Sequence, residues 1–77
     1  MHVYFVRFVR STPAVDRSHI NYSMESSSRE SLRRRVKELA KTNGAYEIAI
    51  YTEKGRMNGE RPIEEWILGE NRWKRIR

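Results

Sequence analysis

The sequence predicts an α+β fold: an antiparallel sheet of four or five strands with one helix packed on one face. Three observations lead there. Runs rich in β-branched and aromatic residues at 2–10 and 45–52 contain no Gly or Pro, which suits pleated strands. A segment between them repeats apolar residues at helical spacing. At 77 residues the chain makes one domain, 1–77, and folding at this length hides only about 60 % of the surface that the unfolded form exposes.

In 2–10, Tyr4, Val6 and Phe8 fall on one face and Val3, Phe5 and Val9 on the other, interrupted by Arg7. Apolar character on both faces predicts a central strand, since an edge strand with one wet face alternates more cleanly. Residues 11–18 carry Pro13 and small polar side chains and read as a loop. A second strand is expected at 19–24, with Ile20, Tyr22 and Met24 on one face, closing a hairpin with the first. Ser27 followed three residues later by Glu30 fits a capping box. Leu32, Val36, Leu39 and Ala40 share one stripe, and Asn43-Gly44 supplies a left-handed stop. These signals predict a helix over 28–42.

Residues 45–52 read as a third strand with Tyr46, Ile48 and Ile50 inward. The stretch 53–62 holds two Gly and one Pro and reads as a mobile loop. Residues 62–69 admit two readings. One is a short helix begun by Pro62 with carboxylates at its positive end. The other is a hairpin, 64–68 and 72–76 about a turn at Gly69-Glu70-Asn71. The hairpin is preferred because it brings Trp66 and Trp73 close across two strands. The resulting order is β-β-α-β-β-β.

The absence of cysteine excludes a disulfide framework, a Cys-based zinc or iron–sulfur site and a thiol nucleophile. The chain has no glycine-rich phosphate loop, no pair with metal spacing and no serine in a sharp strand-to-helix turn. No cofactor, metal site or catalytic residue is therefore expected. Glu64 and Glu65 diverge on a strand or a helix, so they make no acid–base dyad. His2 and His19, if opposed across the first hairpin, would suggest metal-independent ribonuclease chemistry; ordinary strand-end histidines are the plainer reading. Apolar residues, 38 % of the chain, are too dispersed for a membrane span. The opening run lacks the pattern of a secretory signal, so a cytoplasmic location is expected.

Charge carries the functional signal. The net charge is +6, and it is concentrated. The segment from Arg29 to Lys41 holds six basic residues (Arg29, Arg33, Arg34, Arg35, Lys37 and Lys41) against Glu30 and Glu38. On a helix, Arg29, Arg33, Lys37 and Lys41 step by four and trace a ridge beside the apolar stripe. The tail adds Arg72, Lys74, Arg75 and Arg77 without an acid. Clustered Lys and Arg attract phosphates and release counterions, and Arg, which outnumbers Lys 12 to 4, grips phosphate with two donors. Trp73 either stacks on a base or packs against Trp66. No Asn or Gln stands where a base-reading helix needs one, so contact with the nucleic-acid backbone is expected. Val3, Phe5 and Val9, on the sheet face the helix leaves free, are expected to form a protein-binding surface or a homodimer seam.

The succession of a strand (Val3 to Val9), a second strand running into a Ser-capped helix (Ile20 to Ser27, then Leu32, Val36 and Leu39), a strand (Tyr46 to Tyr51) and a Trp-bearing terminal hairpin (Trp66-Ile67-Leu68, then Arg72-Trp73) resembles small phage-encoded proteins that disable host machinery: anti-CRISPR proteins and host RNA polymerase inhibitors. The resemblance spans most of the chain, is architectural and rests on no signature motif. It implies a non-catalytic protein of the host cytoplasm that occludes a nucleic-acid channel or a partner surface. Many such proteins are acidic, and the basic balance here departs from them. That departure favours contact with nucleic acid over DNA mimicry. The expected function is thus a non-enzymatic binder of nucleic acid, duplex DNA above all, that regulates or inhibits transcription or another DNA transaction. The alternative is a protein–protein inhibitor of a host enzyme complex acting through the free sheet face.

Overall fold

The computed structural model of the chain covers residues 1–77. Its β-branched and aromatic opening run forms β1 (His2–Arg10), and the polar-apolar alternation that follows forms β2 (Ser18–Ser26). The helical segment is α1 (Arg29–Asn43), followed by β3 (Ala45–Thr52), a short α2 (Glu53–Met57), β4 (Glu64–Gly69) and β5 (Arg72–Arg75). All five strands join one sheet in the order β2-β1-β3-β4-β5, with every neighbouring pair antiparallel. β1 is an interior strand, as its two apolar faces require. No helix is long and apolar enough to cross a membrane.

The helix packs on the face carrying Tyr4, Val6 and Phe8. Its Leu32, Val36 and Ala40 close a core with these residues, Met24 of β2 and Ile48 and Ile50 of β3. Phe8 is fully buried and meets the Tyr22 ring edge-on at 5.6 Å. Truncating a buried phenylalanine of this kind costs about 3–5 kcal/mol.

Four local details depart from expectation. Ser28, not Ser27, caps α1: its hydroxyl accepts the Ser31 amide at 3.1 Å. Ser26, buried at the end of β2, donates its hydroxyl to the Ser28 carbonyl at 2.8 Å, so the chain travels one residue further before turning helical. The box of Ser27 with Glu30 therefore does not form, although Glu30 still lies in the positive first turn. Gly44 ends the helix with φ +65°, and its amide donates to the Lys41 carbonyl.

Tyr46 does not take an inward position. Val9 pairs with Glu47 but Arg10 with Ala45, so Tyr46 is the extra residue of a β-bulge and Ala45 fills the core place instead. The stretch after β3 is not a plain loop either. The Thr52 hydroxyl accepts the Gly55 amide at 2.9 Å and starts α2. A Cβ at position 55 would stand 2.7 Å from that oxygen, so only glycine closes this turn without displacing Thr52.

The terminal hairpin forms, and the helix alternative for 62–69 does not. Glu70 and Asn71 both adopt positive φ, 49° and 66°, the backbone of a two-residue turn matched to strand twist. The two indoles are not directly opposed, however: Trp66 pairs with Arg75, and Trp73 with Leu68. The Trp66 ring is covered by cations, with Lys37 Nζ 4.2 Å and the Arg75 guanidinium 6.0 Å from its centroid.

Candidate nucleic-acid interface

β4 decides which charges of α1 are available. It pairs with β3 so that Glu64 lies opposite Ile50 and Trp66 opposite Ile48, which turns both side chains toward the helix while Glu65 faces away. Glu64 is 1 % exposed. Its carboxylate accepts Arg29 Nε at 2.9 Å, Arg33 Nε at 2.8 Å and Trp66 Nε1 at 3.0 Å. Burial alone would push this carboxyl up, but hydrogen bonds from Arg33, Trp66 and Arg29 outweigh it and hold the group at about 2. The same contact raises Arg33, whose hydrogen bond to Glu64 stabilises the charged form. Two of the eleven residues expected to meet phosphate are thereby bound to a buried carboxylate inside the fold.

Lys37 and Lys41 lie further along the same ridge, past the reach of Glu64. There α1 and the β4–β5 hairpin enclose an open groove of about 680 Å³, lined by Arg34, Lys37, Lys41, Leu68, Asn71 and Trp73, with Glu38 as its one carboxylate. Helical spacing accounts for the cations, since 34, 37, 38 and 41 recur at i, i+3, i+4 and i+7. Strand alternation accounts for the tryptophan: Trp73 and Arg75 point to the helix side, whereas Arg72 and Lys74, opposite Gly69 and Ile67, point to the other. Trp73 is half-buried, so part of its ring is open to a ligand. Arg75 stands over Trp66 and donates to the Arg77 carbonyl. Arg35 projects toward β2, donating to the Glu25 carbonyl at 2.6 Å.

The structure therefore collects Arg34, Lys37, Lys41 and Trp73 in one groove, places Arg75 beside the neighbouring indole, and sends Arg35, Arg72 and Lys74 elsewhere. Glu64 and Trp66 were not among the expected site residues. The one sequence signal for them is parity, since 64 and 66 share a face on a strand.

The free sheet face is less bare than its sequence suggested. Val9 is 4 % exposed, and Val3 and Phe5 are half-buried. The Arg56 guanidinium of α2 lies 5.2 Å from the Phe5 ring centroid, and Arg7 lies 5.6 Å from that of Tyr51. The two histidines are not opposed: His2 pairs with Ser26 and His19 with Val9, at opposite ends of the β1–β2 ladder. The chain matches no protein-family profile, no curated protein and no solved structure.

Proposed function

We propose that this protein binds nucleic acid without catalysis, through backbone phosphates seated in the groove between α1 and the β4–β5 hairpin. By covering those phosphates it would regulate or inhibit transcription or another DNA transaction. The observation that carries this reading is the convergence of Arg34, Lys37 and Lys41 on a half-exposed Trp73, with Glu38 alone opposing them. Three cations over one groove give a field that attracts a polyanion. Arg29 and Arg33 serve the fold in this reading rather than the ligand.

The free sheet face supports a protein-docking role less well, because Val9 is buried within the chain and Arg56 lies over Phe5.

Fluorescence anisotropy with a labelled duplex at rising salt tests the proposal. Each phosphate neutralised on duplex DNA contributes about 0.9 to the slope of log K against log salt. The three groove cations predict a slope near −3. A slope near zero, or no binding at about 50 mM salt where such contacts are strong, would overturn the reading.

A further inference from the structure

On the sheet face away from α1 lies a second cavity of about 350 Å³, walled by Arg7, His19, Asn21, Tyr51, Arg56 and Glu60. Strand register explains the gathering. Asn21 is the partner of Arg7 across β1 and β2, and His19 stands one pleat along, opposite Val9. Tyr51 pairs with Phe5, diagonal to Arg7 on the other side. Arg56 reaches in from α2, and its Nη1 lies 3.4 Å from Asn21 Oδ1. That contact places a second guanidinium on the wall of the same cavity.

Neither arginine is ion-paired, since the three salt bridges of the chain involve Arg17, Arg29 and Arg33. Each guanidinium lies against a ring instead, Arg7 by Tyr51 and Arg56 by Phe5, and two like charges facing one cavity repel. An anion between them relieves that repulsion. A bare anion would meet repulsion from Glu60, and the cavity is larger than a phosphate group needs. A phosphorylated sugar suits both walls: its phosphate faces the guanidinium groups, and its hydroxyls donate to the carboxylate.

We infer that this cavity is a binding site for a phosphorylated sugar, with Arg7 and Arg56 holding the phosphate and Glu60 the sugar hydroxyls. The site is separate from the groove of α1 and does not depend on it. Asn21 accepts a hydrogen bond from Arg56 on its side-chain oxygen, and the β1–β2 ladder carries Arg7.

Amide NMR titrations with AMP, adenosine and inorganic phosphate test this on the full chain. Saturable shifts at His19, Asn21 and Gly59 are expected with AMP, weaker ones with phosphate and none with adenosine. Arg7→Gln and Arg56→Gln each weaken AMP at least about tenfold, the loss of one charge-assisted contact. Arg56 is exposed on α2, so its variant tests the site even if a change at the half-buried Arg7 disturbs the sheet. Lys37→Gln leaves AMP binding unchanged. The inference is overturned if AMP produces no saturable shift, if adenosine matches it, if the shifts fall at Lys37 and Trp73 instead, or if Arg56→Gln binds as the parent does.

Discussion

Replacing Glu64 by Gln should expose how strongly one buried carboxylate fastens β4 to α1. The folded carboxyl sits at about 2 against an ordinary 4.5. At about 1.4 kcal/mol per pH unit, that difference amounts to about 3 kcal/mol of stability at neutral pH. The sign follows from the direction: the folded value lies below the unfolded one, so the stabilisation is complete well above pH 4.5 and is lost as pH falls toward 2. Arg29 is 42 % exposed and Arg33 30 %, so water screens the Arg29 arm more and Arg33 contributes the larger share. Glu64→Gln keeps the shape and an acceptor for Trp66 but removes the charge, leaving two guanidinium groups without a counterion. A domain of this length is stable by about 4–12 kcal/mol, so the loss is a large fraction. At about 4–8 °C per kcal/mol, Tm at pH 7 should fall by more than about 10 °C. Urea titrations of parent and variant from pH 7 to 2.5, read by circular dichroism, give the decisive quantity: the stability gap as a function of pH. It should narrow steadily below pH 4.5. A gap that stays constant down to pH 2.5, or one below about 1 kcal/mol at pH 7, would refute the assignment of this stability to an ionised Glu64.

Further outcomes follow from the same geometry. Lys37→Gln and Lys41→Gln should each flatten the salt slope of DNA binding by about 0.9 in anisotropy titrations. Arg33→Gln should instead lower the urea midpoint and leave that slope in place. Ser28→Ala should cost about 1 kcal/mol of stability through the lost cap, whereas Ser27→Ala should stay within about 0.5 kcal/mol, both by chemical denaturation. Gly44→Ala, at φ +65°, should cost about 1 kcal/mol, measured as a shift in urea midpoint.

What the sequence made legible was whatever a period of two or of 3.6 can encode. The faces of β1 and β2, the stripe of α1 and the terminal hairpin follow from side-chain alternation, helical spacing and turn residues, and each appears where those periods put it. Three misplacements share a different cause. The cap moved from Ser27 to Ser28 because Ser26 bonds the Ser28 carbonyl, a choice among three consecutive serines that spacing cannot rank. Tyr46 left the core because a bulge shifts parity by one, and bulges carry no period. α2 depends on one hydroxyl accepting one glycine amide, against a composition that reads as loop.

The candidate interface was legible in its charges but not in their availability. Arg29, Arg33, Lys37 and Lys41 do form one ridge, as a step of four requires, yet its first half is tied down by a carboxylate 31 residues beyond Arg33 in the chain. Only the pairing of β4 with β3 determines that encounter. In the observed register Glu64 faces the helix opposite Ile50; a slip of one residue would turn Glu65 inward and Trp66 away. The indole would then leave Lys37, and the hairpin would present Lys74 to the groove in place of Trp73. Net charge and helical periodicity are identical in both registers, so neither quantity can define the binding surface. The surface is a property of strand pairing, which assigns two arginines to the fold and leaves two lysines and an arginine of the same helix to face the groove.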